Sequence, residues 1–96
     1  MTLLHELILQ SQIADPSTSL NAVLEKGGIM VACRGESVFY SAGEGRDFAS
    51  GLERALSEEY RIEETADLIE FLRYGADVLD RCEIDQYFRV EFKDWR

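Results

Sequence analysis

Basic side chains, cysteine, histidine, proline and long apolar runs are all scarce in this chain of 96 residues. Ten Lys and Arg stand against 19 Asp and Glu, a net charge of −9. That deficit argues against nucleic acid or an anionic membrane as a direct partner, because gripping phosphate takes a basic surface. Two cysteines, Cys33 and Cys82, are too few for the disulfide framework of a small secreted domain. With the single histidine, His5, they offer no pair at a structural-zinc spacing, so neither a metal nor a cofactor is expected. No apolar run approaches the roughly 20 residues of a membrane span, and Met1 to Glu6 lack the basic start and small-residue cleavage site of a signal peptide. The expected setting is the reduced cytoplasm. With 46% hydrophobic and 30% charged residues the composition is that of a globular chain, and its length suits one domain over residues 1–96.

Apolar spacing supplies the elements. Leu3, Leu4, Leu7, Ile8 and Ile13 fit an amphipathic helix over 2–13. Asp15-Pro16 suits the start of a second helix over 16–26, with Leu20, Val23 and Leu24 inward and Gly27-Gly28 as its stop. Segments 29–33 and 38–42 flank Arg34-Gly35-Glu36-Ser37 and predict a hairpin with Gly35-Glu36 in a type II′ turn. That register sets Cys33 opposite Val38, Val31 opposite Tyr40 and Ile29 opposite Ala42, with Met30, Ala32, Phe39 and Ser41 on the other face. A loop over 43–46 leads to a helix from Asp47 with Phe48, Leu52, Ala55, Leu56 and Tyr60 in one stripe. A further helix covers 63–81. Residues 87–95 alternate as a half-buried strand, Phe88, Val90 and Phe92 on one side, Tyr87, Arg89, Glu91, Lys93 and Trp95 on the other. The fold class is α+β in the order α-α-β-β-α-α-β, a three-stranded antiparallel sheet with about four helices on its apolar face.

Catalytic patterns are missing. Gly43-Glu44-Gly45-Arg46-Asp47 has the outline of a phosphate loop, yet it lacks the Lys-Ser/Thr pair, and Glu44 and Asp47 repel phosphate. It reads better as a connector with Asp47 as helix N-cap. Cys33 and Cys82 fall on apolar faces, as core residues do, and nothing brings His5 beside either. Carboxylates abound on what reads as a convex helix surface, without the pocket that would separate two pKa values. The chain is therefore not expected to be an enzyme.

Acid is concentrated in one half. Residues 1–43 hold four acids and two bases, and residues 44–96 hold 15 acids and eight bases. Glu58, Glu59, Glu63, Glu64, Asp67 and Glu70 cluster around the start of the helix over 63–81. On a helical projection Glu63, Asp67, Glu70, Tyr74, Asp77 and Arg81 fall within an arc of about 80°. Carboxylates in the first turn favour the helix dipole, and Asp77 is placed to pair with Arg81 one turn on. The opposite arc, Leu68, Ile69, Phe71, Leu72, Ala76, Val78, Leu79 and Cys82, is wider than the roughly 100° a surface helix needs. Phe71 and Val78 lie near the acidic edge, as candidates for an apolar interface, together with Tyr87 and Trp95 on the outer face of the last strand. A solubilising coat of charge accounts for the acids equally simply.

These features point to a binding module. A protein with a basic surface is the electrostatic complement of the stripe, and such surfaces are commonest on nucleic-acid-binding proteins, where a row of carboxylates can stand in for phosphates. The partner-binding residues expected are Glu58, Glu59, Glu63, Glu64, Asp67, Glu70, Tyr74 and Asp77. In size and acidity the chain resembles the anti-CRISPR proteins of phages and mobile elements and the acidic inhibitors of nucleases. That resemblance of type implies an inhibitor and assigns no residue a role. The alternative is an acidic secretion chaperone, dimeric through the wide apolar arc; a homodimer is compatible with either reading.

Overall fold

Leu20, Ala22, Val23 and Leu24 are all buried, and four buried residues within one six-residue strand are the key to the architecture. The computed structural model describes residues 4–14, 20–56, 63–81 and 86–95. Helix α1 (Leu4–Ala14) is followed by strands β1 (Leu20–Glu25), β2 (Gly28–Cys33) and β3 (Glu36–Tyr40). Helices α2 (Ala42–Ala55) and α3 (Glu63–Asp80) come next, then strand β4 (Arg89–Glu91) and a 3-10 turn, Phe92–Asp94. The class is α+β, with one four-stranded antiparallel sheet in the order β3-β2-β1-β4.

The helix expected over 16–26 is overturned for residues 20–25, which form β1; residues 15–19 lie outside the described residues. Leu20, Ala22 and Leu24 join the core on one face of the sheet, and Val23, on the other face, is fully buried too. A strand buried on both sides loses its alternation, and Leu20, Val23 and Leu24 then match helical spacing equally well. Gly27 is not a helix stop. With φ 96° it completes a two-residue turn between the paired residues Glu25 and Gly28.

The β2–β3 hairpin forms, but with another turn. Arg34 (φ 50°) and Gly35 (φ 83°) are the two central residues, both left-handed as in a type I′ turn. Pairing is therefore Cys33 with Glu36, Val31 with Val38 and Ile29 with Tyr40, two residues away from the expected register. A slip of two keeps the side chains that remain in the strands on their expected faces. Ala42 is released from the sheet and begins α2.

Helix α2 also starts earlier than Asp47. Ser41 is its N-cap: the Ser41 hydroxyl accepts from the Glu44 N–H and the Glu44 carboxylate accepts from the Ser41 N–H, each at 3.3 Å. This capping box makes the glycine-rich run 43–47 helical rather than a loop. Phe48 and Leu52 are buried as expected, Ala55 is exposed, and Tyr60 lies outside the described residues.

The helices pack on the sheet face that carries Leu20, Ala22, Leu24, Ile29, Val31 and Cys33. Ile29 is wedged between two of them: an added Cβ at Gly45 of α2 would lie 3.4 Å from the Ile29 Cδ1, and one at Gly75 of α3 only 2.9 Å. The last strand is short. Three residues pair with β1, Leu24 with Val90 at their centre, and the 3-10 turn then bends the chain. Phe88, Val90 and Phe92 lean on the core as expected, but Trp95 does so as well and is not on the outer face.

The acidic face of α3 as candidate functional site

Helix α3 is divided lengthwise. Thr65, Leu68, Ile69, Phe71, Leu72, Gly75 and Ala76 are buried, while Glu63, Glu70, Arg73, Tyr74, Asp77, Asp80 and Arg81 are exposed and Glu64 and Asp67 half-buried. This is the projection expected from spacing alone, with one correction. Phe71 is fully buried, and Val78 and Leu79 are half-buried against the core, so the described part of the wide apolar arc packs inward.

Trp95 brings an aromatic group to the acidic face. Its ring meets Phe71 edge-on, centroids 5.5 Å apart and planes at 72°, and lies 5.8 Å from Tyr74. Phe92 backs the group, 5.5 Å from Phe71. Tyr74 is itself partly exposed, with Glu70 four residues before it and Asp77 three after, both on the same helix face. Four of the expected residues, Glu70, Tyr74, Asp77 and Trp95, thus converge, although Trp95 arrives by a bend that strand alternation does not foresee. Tyr87, ahead of β4, is 84% exposed. Glu58 and Glu59 lie outside the described residues.

Charge along the face is uneven. Asp77 does not use Arg81 as its partner: Arg46 of α2 reaches the Asp77 carboxylate at 2.8 Å and Asp80 at 2.6 Å. Hydrogen bonds to Asp77 and then Asp80 push the Arg46 guanidinium above its ordinary pKa. Arg81 instead closes the helix, its backbone N–H donating to the carbonyls of Asp77 and Val78. Arg73 binds Glu53 of α2 at 2.9 Å and holds that carboxyl below the usual range. These exposed pairs contribute little to stability individually, but they offset acid at the C-terminal half of α3. Along α3 itself the N-terminal half carries Glu63, Glu64, Asp67 and Glu70 and no basic residue, whereas Arg73 belongs to the C-terminal half and Arg81 closes it. Arg46 and Arg73 were legible as bases in the sequence; their partners, across two helices, were not.

Cys33 is buried, 1% exposed. Burial pushes its thiol pKa up, against a hydrogen bond from Ser11 and the charge of Arg34, with Glu64 adding to the rise. Cys82 lies outside the described residues. Among the described residues no three His, Cys, Asp or Glu side chains gather where they could hold a metal ion, and no helix is long and apolar enough to cross a membrane.

No protein-family model, curated protein or solved structure matches the chain. The chemistry of the α3 face must therefore speak for itself. Carboxylates accept charge-assisted hydrogen bonds from Arg and Lys, and the face of an exposed tyrosine attracts the same cations.

Proposed function

We propose that the chain is a small acidic protein–protein interaction module that binds the basic surface of a nucleic-acid-binding protein and inhibits it by mimicking the charge of DNA or RNA. The observation that carries this reading is the composition of one helix face: exposed Glu63 and Glu70 stand in line with Tyr74, which packs on Trp95, while the apolar side of α3 is buried. Carboxylates spaced one and two turns apart present negative charge at intervals of roughly 5 and 10 Å, given the rise of an α-helix. Opposite potentials steer such encounters and suppress wrong partners.

Affinity capture of a basic protein, compared between the native chain and the double variant Glu63→Lys/Glu70→Lys, tests this reading. Both residues are exposed, so the variant should retain its circular dichroism spectrum. The expected partner binds nucleic acid, competes with it for the chain, and is released at roughly 0.5 M salt, where the Debye length is only about 4 Å. The double variant should fail to capture it. Capture that resists salt and survives both substitutions sinks the charge-mimic mechanism.

A further inference from the structure

Strand β3 is the outer strand of the sheet and, among the described residues, no element pairs with its far side. Soluble proteins blunt such edges with lysine, proline, bulges or a covering helix. The β3 segment, Glu36-Ser37-Val38-Phe39-Tyr40, has no Lys and no Pro, and its register with β2 runs without a bulge. It also exposes two large apolar side chains, Val38 at 40% and Phe39 at 54%.

The direction of its free backbone groups follows from the register. In an antiparallel ladder alternate pairs exchange both backbone hydrogen bonds, and the pair that closes a two-residue turn is one of them. Cys33–Glu36 is that pair, so Val31–Val38 and Ile29–Tyr40 bond likewise. Ser37 and Phe39 consequently turn their N–H and C=O groups away from β2. Two copies related by a twofold axis at Val38 would set Ser37 of one opposite Phe39 of the other, twice, and join all four outward pairs of groups. Val38 would then face Val38, and Glu36 would face Tyr40, with no carboxylate opposite another.

Charge favours the same contact. Residues 26–43, which hold β2, β3 and their turns, contain Lys26, Arg34 and Glu36, a net of +1 in a chain of net −9. The helix over β3 is α2, not the acidic α3. The twofold register also brings Arg34 of one copy towards the start of α2 in the other, where Glu44 sits.

We propose that the chain forms a homodimer by antiparallel pairing of β3 with β3 of a second copy, centred on Val38, giving one continuous eight-stranded sheet. The contact is independent of the α3 face and leaves that face open in both copies. Sedimentation equilibrium at about 100 μM, well above a Kd in the low micromolar range, should report the mass of two chains. Val38→Lys places two ammonium groups opposite each other and should weaken association at least about tenfold; Val38→Glu should do the same. Phe39 is left alone because its ring covers Gly28. An equimolar mixture of the two variants should restore a dimer, now a heterodimer, which a misfolded chain could not do. A native chain that stays monomeric, a dimer indifferent to Val38→Lys, or a mixture that does not reassociate overturns the proposal.

Discussion

Cys33 ends β2 beneath α1, where Ser11 is also buried. Its thiol is favoured over its thiolate in the fold because burial removes the hydration a thiolate needs. The folded pKa is raised above the ordinary value of 9.0, so the associated stability is fully present below pH 9 and is lost as pH rises through the folded value. Between the two values the unfolded chain binds one proton fewer, and stability falls by at most about 1.4 kcal/mol per pH unit for such a group. Tyr40, stacked on Phe48 with centroids 4.7 Å apart, is raised by burial and then by Glu44, and adds to the same loss from about pH 10 upward. Urea midpoints taken from pH 8 to 11 should therefore decline, and Cys33→Ala should make the first part of that decline shallower. Parallel profiles for the native chain and the variant would show that Cys33 does not contribute.

Helix α3 comes close to the sheet because it presents Gly75 where a side chain would strike Ile29 and Leu24. An alanine there gains up to about 1 kcal/mol of helix propensity. It must also displace a fully buried isoleucine, and overpacking of that kind costs about 1–3 kcal/mol. Gly75→Ala should therefore destabilise the fold. Ile29→Val removes the Cδ1 methyl in question and costs about 0.5–1.5 kcal/mol by itself. In the double variant the two losses should fall short of their sum by at least about 0.5 kcal/mol, read from denaturant midpoints. Strict additivity would mean that α3 is not held off by this contact. The same closeness buries Leu68, Ile69, Phe71, Leu72 and Ala76 and leaves Glu63, Glu70 and Asp77 on the outward side of the helix.

For the molecule as a whole, a net charge of −9 on 96 residues opposes compaction through self-repulsion. The ion pairs of Arg46, Arg73 and Arg89 relieve it locally, all between exposed side chains. Raising salt from about 0.1 to 1 M shortens the Debye length from about 10 to about 3 Å and screens repulsion and attraction alike. With acids in this excess, repulsion is the larger sum, and the melting temperature should rise with salt in a differential scanning fluorimetry series. A falling melting temperature would assign the greater weight to the Arg46 and Arg73 pairs. The same screening should weaken capture of a basic partner, so stability and binding should respond to salt in opposite directions.

Where one face of an element is buried and the other wet, spacing along the chain was sufficient: α3 runs from Glu63 to Asp80 with Leu68, Leu72 and Ala76 inside and Glu70 and Asp77 outside, and the β2 and β3 faces hold their expected side chains. Those assignments depend on local periodicity, which is a property of the covalent chain. Three things depended on partners distant in sequence. Residues 20–25 became a strand because β2 and β4 flank them and both faces are covered, which erases the period of two. Trp95 joined Tyr74 and Phe71 because a turn at Phe92 bends the chain back onto α3. Asp77 is met by Arg46 because packing of α2 on α3 brings that guanidinium within 2.8 Å of its carboxylate. The acidity and the class of fold are written in composition and period; the make-up of the α3 face and the open edge of β3 exist only once the sheet has assembled.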